Sequence, residues 1–198
     1  MFDWFVPAIS TRKIDAIAGT LRYVFNCANQ YVSNLCGILE HHLPNLVEGY
    51  DIEFVDVIQL DNGEFAEAQT EFSPPKITFS SDVYLKLVQD DPRSRFTAAH
   101  EIGHLMLHQG LATLKRMPEK SVAKYQANSA EWQANRFAAA FLAPESLMRS
   151  FDSPDEVAEM MKISMRMAQI RMTELKLWPK VRDISTWKKA REEFGLPK

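Results

Sequence analysis

The apolar residues of this chain repeat at two different periods, and the first change falls between Pro44 and Ile52. Before it, Ser10 stands as an N-cap ahead of Ile14, Ile17, Ala18, Leu21, Val24 and Phe25, which have the spacing of a helix over 10–26. A second helix is expected over about 29–42, stopped by Pro44. Then Ile52, Phe54, Val55, Val57 and Ile58 form a β-branched and aromatic run. Asp61-Asn62-Gly63 follows it, and Asn-Gly between two such runs marks a hairpin, because both turn residues need positive φ. The return strand is expected over 65–72, broken by Pro74-Pro75, with a third short strand over 76–80. From Asp91 the helical period returns. Helices and strands segregated in this way predict an α+β fold, mostly helical with a small three-stranded sheet.

With 198 residues the chain fits one large domain, or a main domain with a small appendage. Hydrophobic residues at 46% and charged residues at 25% exclude disordered, collagen-like and coiled-coil classes. Cys27 and Cys36 lack CxxC spacing and are too few for a secreted disulfide scaffold, so they read as buried thiols of a reducing compartment. No apolar run nears the ~20 residues that span a bilayer, and residues 1–13 do not resemble a signal peptide. A cytoplasmic protein is expected. The net charge of -3 hides an asymmetry: residues 162–198 hold ten Lys+Arg against four Asp+Glu.

Asp91-Pro92 opens a helix with an N-cap and a proline at the first helical position, and this helix ends near Gly110. Residues 111–121 read as a loop, and a long helix is expected over 121–142 before Pro144. The tail predicts short helices over 154–162, 165–177 and 185–194. The expected division is a main domain over 1–150 and a helical, helix-turn-helix-like tail over 151–198.

His100-Glu101-Ile102-Gly103-His104 is an HExxH motif inside the helix that Asp91 opens. On a helix, positions i and i+4 lie about 40° apart, so both imidazoles face one way and can grip one metal ion. Glu101 lies about 100° round from His100, beside such an ion, where it can act as general base. At this chain's composition the motif arises by chance roughly 1% of the time. Imidazole and carboxylate ligands suit zinc, with manganese, iron or cobalt as possible substitutes.

An open zinc site wants a third protein ligand. His108 continues the i+4 series, but on a straight helix it lies ~12 Å along the axis from His100, too far for one ion. The extended HExxHxxGxxH pattern fails, since Leu107 stands at its glycine and Gly110 at its third histidine. His108 is therefore read as a residue behind the ligands, or as a cation at the helix end. Glu131 is the better candidate, in a helix whose small residues Ala134, Ala138, Ala139 and Ala140 allow close packing. Asn135, one turn on, could orient a ligand histidine through its ring N–H. On its own, a glutamate at the start of an apolar face is as readily a solvated residue.

The run Arg95-Phe96-Thr97-Ala98-Ala99-His100-Glu101-Ile102-Gly103-His104-Leu105-Met106-Leu107-His108, followed by Glu131-x-x-Ala134-Asn135-x-Phe137-Ala138-Ala139 and Leu142-Ala143-Pro144, resembles the ImmA/IrrE family of metallopeptidases. Ile77-Thr78-Phe79-Ser80 and Tyr84 resemble the elements that precede the motif there, and the resemblance covers about residues 40–180. It implies a zinc-dependent, gluzincin-like endopeptidase of bacteria, phages or mobile elements whose protein substrate is a helix-turn-helix repressor. Carried over by position, His100, His104 and Glu131 become metal ligands and Glu101 the general base. The oxyanion stabiliser is not identified by sequence; His108, Tyr84, Tyr125 and Arg136 are the candidates.

Two other readings stand beside this one: a metal-bound regulator that sequesters a repressor without cleaving it, and a DNA-binding protein with a structural metal site. For DNA, Arg166, Arg171, Lys176 and Lys180 in the tail would meet phosphates. The commoner use of such helices is packing on the main domain, and the chain's overall acidity favours that use. Six of the nine methionines fall over 148–172, where they suit either core filling or a partner surface.

Overall fold

A computed structural model of the chain describes residues 3–60, 63–111, 115–117 and 125–177. Helix α1 (Thr11–Val24) starts where expected, with the Ser10 side chain accepting from the Lys13 amide. Residues 29–34 are not helical. The next helix begins instead at α2 (Leu35–Gly37), capped by Asn34, and widens into a π turn (Ile38–His42) before α3 (Leu43–Leu46). Pro44 therefore lies inside this helical run rather than ending it. The π turn shifts the hydrogen-bond register just upstream, and Pro44 falls in the first turn of α3, where its missing N–H is tolerated.

The sheet is three-stranded and mixed, in the order β2 (Asp51–Val55), β6 (Pro75–Ser80), β5 (Ala68–Phe72), with β2 parallel and β5 antiparallel to β6. In β6, Ile77 and Phe79 alternate into the core while their neighbours are half-buried, the pattern of a one-faced strand. The hairpin forms between β3 (Ile58–Gln59) and β4 (Phe65–Ala66), with Gly63 at φ 82; turn residues 61–62 lie outside the described residues. The expected return strand thus divides: β4 closes the hairpin, and β5 leaves it to pair with β6. Pro75 begins β6 rather than breaking the strand pair.

Helix α4 (Ser81–Val88) leads to α5 (Pro92–His108), whose N-cap Asp91 accepts from the Ser94 amide. Helix α6 (Ala130–Leu142) starts nine residues later than the sequence suggested, with Ser129 as its cap. The reason lies in a segment near the start of the sequence. Strand β1 (Trp4–Phe5) pairs with β7 (Lys115–Arg116), and Phe5 bridges to Ser129. The Val6 amide donates to the Asn128 carbonyl, Asn128 Nδ2 returns a bond to the Val6 carbonyl, and Asp3 Oδ1 accepts from the Glu131 amide at 3.2 Å. These bonds hold Gln126–Asn128 as a 3₁₀ turn ahead of α6.

Helix α6 packs against both α5 and α1. Arg22, 1% exposed, ties α1 to the far end of α6 by donating to the Phe141 carbonyl, and also donates to those of Cys27 and Gln30. Helix α7 (Glu145–Met148) is followed by α8 (Pro154–Met161) and α9 (Met165–Glu174). Their Val157, Met161, Ala168 and Met172 join the same hydrophobic core as α1, α5 and α6. Buried Arg95 on α5 reaches the turn between α8 and α9, where its Nε donates to the Lys162 carbonyl. Four of the six clustered methionines (148, 161, 167 and 172) are buried, so core filling is their main use. Cys27 is buried and Cys36 half-buried, and both are free thiols. The tail helix expected over 185–194 lies outside the described residues. Among the described residues no helix is long and apolar enough to cross a membrane.

Candidate metal centre

Helices α5 and α6 approach closely because small residues face each other at the crossing. A Cβ added at Gly103 would lie 3.2 Å from the backbone of Ala134, and Ala134 and Ala138 are fully buried. This contact brings the start of α6 to the histidine face of α5. His100 Nε2 and His104 Nε2 stand 2.9 Å apart, and each is 3.3 Å from an oxygen of the Glu131 carboxylate. All the ligand atoms of the three residues lie within 4.8 Å of one another, the one such group of three found among the described residues.

The electrostatics of the cluster favour a cation. Burial alone would lower the pKa of His100, but the carboxylates of Glu131 and Glu101 outweigh it and raise it. Burial alone would raise the pKa of Glu131, yet its contacts with the two facing histidines hold its carboxyl well below the usual range. Asn135 Oδ1 lies 3.0 Å from His100 Nδ1. An amide oxygen only accepts, so His100 carries a proton on Nδ1, and Nε2 is the ring nitrogen it turns to the cluster. Two imidazole nitrogens and one carboxylate fit zinc, and a site with three such ligands would leave a position open for chemistry.

Glu101 is 3% exposed and points to β5, where Thr70 Oγ1 donates to its Oε2 at 2.6 Å. Sequence reading missed Thr70, which no motif marks. His108 does not act as a cation at the helix end. Burial, and then neighbouring His104, push its pKa down to about 4, and it is 1% exposed. Its Nδ1 lies 3.1 Å from His104 Nδ1, and its Nε2 lies 3.1 Å from Oε1 of Gln133, a second residue that sequence reading missed.

The other oxyanion candidates are placed as follows. Tyr84 donates to Glu40 and packs on Phe54, away from the histidines. Tyr125 stacks edge-on to Phe5. Arg136 binds Asp15 and Glu174 and lines a cleft between α5, α6 and α9 with Phe96, Trp132 and Asn135. Arg171, offered above as a phosphate contact, is 1% exposed and donates to the Ala143 carbonyl, so it cannot reach DNA in this fold. Arg166 and Lys176 are exposed, and Lys180 lies outside the described residues.

Residues 55–173 match the model of the Peptidase_M78 family, described as the IrrE N-terminal-like domain. The chain belongs to this family. The matched span runs from the end of β2 through α9 and contains every residue of the cluster. Membership of Peptidase_M78 supports a metallopeptidase type of function, with a protein as the class of substrate. No individual curated protein matches the chain.

Proposed function

We propose that this member of Peptidase_M78 is a zinc-dependent endopeptidase of the cytoplasm that cleaves a cognate helix-turn-helix repressor and so relieves repression. The observation that carries the catalytic half is the convergence of His100, His104 and Glu131 with Glu101 beside them, its carboxylate held from the sheet. The substrate half rests on the resemblance of the sequence to the ImmA/IrrE family. Free Cys27 and Cys36 agree with a reducing compartment. The reading also assigns residues 1–150 to the catalytic body and 151–198 to a helical appendage.

In this mechanism His100, His104 and Glu131 would hold the ion. Bound zinc supplies Lewis-acid chemistry, making water nucleophilic near neutral pH and polarising a peptide carbonyl. Glu101 takes the proton that the attacking water gives up and delivers it to the amide nitrogen, which leaves as an amine. Thr70 donates to one carboxylate oxygen and leaves the other to carry that proton. Asn135 fixes the ring of His100. Strand β5 is one of the two outer strands of its sheet among the described residues, and an extended peptide can add to such an edge beside Glu101.

The test incubates the zinc-loaded protein with the repressor encoded beside it. Expected results are cleavage that chelator abolishes and that Glu101→Gln reduces by roughly 10²–10⁴-fold with zinc still bound. A repressor left intact under every condition, including after damage-mimicking treatment, sinks the proposal.

A further inference from the structure

Each histidine that faces Glu131 has its outer ring nitrogen engaged, but the two are engaged differently. His100 is met directly by Asn135, whereas His104 is met by another histidine, whose protonation pattern has to be fixed in turn. Gln133 fixes it. Both protons of its Nε2 are committed, donating to the carbonyls of Pro7 at 2.9 Å and Ala127 at 2.7 Å. Rotating the amide would set its oxygen against two carbonyl oxygens, so Oε1 is the end that faces His108.

An amide oxygen only accepts, so His108 carries its proton on Nε2. That leaves a lone pair on His108 Nδ1, 3.1 Å from His104 Nδ1, which must then be the donor. His104 in turn shows a bare Nε2 to Glu131 and His100. All three of these residues are buried: Gln133 is 0%, His108 1% and His104 8% exposed.

We infer that Gln133, acting through His108, is a positioning residue that sets the tautomer of His104, so that two backbone carbonyls outside α5 decide which nitrogen of this histidine is free to bind a metal ion. The inference rests on the reading of His104 as a ligand, but its first readout needs no metal. That readout is the ring tautomer of His104, obtained from long-range ¹H–¹⁵N spectra of the metal-free full chain with ¹⁵N-labelled histidine. The second is zinc affinity, by competition with a chromophoric chelator.

The expected results are an Nδ1–H tautomer at His104 in the parent, and a mixture of tautomers in His108→Leu and Gln133→Leu. Zinc affinity in those two variants is expected to fall roughly 10–100-fold. In His108→Gln a side-chain oxygen again accepts from His104 Nδ1, so tautomer and affinity should return towards the parent, which a merely structural role would not require. Circular dichroism of each metal-free variant checks that it folds. An Nε2–H tautomer in the parent, or a His108→Leu protein with the parent's tautomer and affinity, overturns the inference. A parent that shows the Nδ1–H tautomer but takes up no zinc counts against the peptidase reading and leaves the positioning chain standing.

Discussion

Replacing Gly103 by alanine sets two effects of known size against each other. In a helix interior alanine is favoured over glycine by about 1 kcal/mol. The new methyl, however, would lie 3.0 Å from Cδ1 of Phe137 and 3.2 Å from both Cα and the carbonyl oxygen of Ala134. Comfortable separations between carbon atoms are about 3.5–4.0 Å, so α5 and α6 must part by roughly 0.3–0.5 Å. Phe137 and Ala134 are fully buried, and two of the three contacts are backbone, which cannot swing aside. Overpacking of this kind costs about 1–3 kcal/mol, which leaves a net destabilisation of about 0–2 kcal/mol.

The larger effect falls on the metal, because His100 and His104 ride on α5 and Glu131 on α6. Bond lengths at such a site tolerate about 0.2 Å, less than the expected separation. Zinc affinity should therefore drop about tenfold, equivalent to about 1.4 kcal/mol. Chelator competition measures this, with denaturant melts of the metal-free form alongside. Gly19→Ala in α1 is the control, since a Cβ there meets nothing within 4 Å. If Gly103→Ala behaves like that control, about 1 kcal/mol more stable with zinc affinity unchanged, the close-packing argument is refuted.

Thr70→Val keeps the shape of the side chain but removes the donor to Glu101; kcat should fall roughly 10–100-fold with KM little changed, and an unaltered kcat would show that Thr70 does not aim the base. For pH, His108 lies at about 4 against 6.5 unfolded, so below pH 6.5 the folded chain binds fewer protons than the unfolded one and loses stability as the pH falls towards 4. His108→Gln removes that loss, so between pH 7 and pH 4 the metal-free stability difference should move towards the variant by up to about 3 kcal/mol; parallel pH profiles would contradict this. Arg22→Met deprives the carbonyls of Phe141, Cys27 and Gln30 of their donor and should cost about 3 kcal/mol in denaturant melts, whereas a cost below about 1 kcal/mol would mean that water replaces the guanidinium.

What could be read from the sequence was whatever depends on near neighbours. Ser10, Asp91 and the Asn-Gly pair act on residues two to four positions away, and α1, α5 and the β3–β4 hairpin appear where those signals stand. His100, Glu101 and His104 are tied together by a single helical turn. Pro44 misled because the π turn that accommodates it has no sequence signal of comparable strength. The start of α6 was misjudged because the turn ahead of Ser129 is held by the distant Asp3–Ile9 segment, which binds Ala127 and Asn128 and leaves no local signal. Thr70 and Gln133 escaped for a related reason. Each is a common polar residue whose partner lies 31 or 25 positions away, brought near only by the packing of β5 and α6 on α5.

The segment around Asp3 and Pro7 has a consequence for timing. Pro7 meets Gln133 across 126 positions and Asp3 meets Glu131 across 128. A chain that folds as it emerges from the ribosome makes this segment early, and it must wait for nearly all of the described structure before it finds its partners. Contacts of such long range tend to form late. An intermediate with α5 and α6 already docked would gather both histidines and the glutamate while the ring of His104 was still free to choose its proton. Full affinity for an ion would then come only with the final closure.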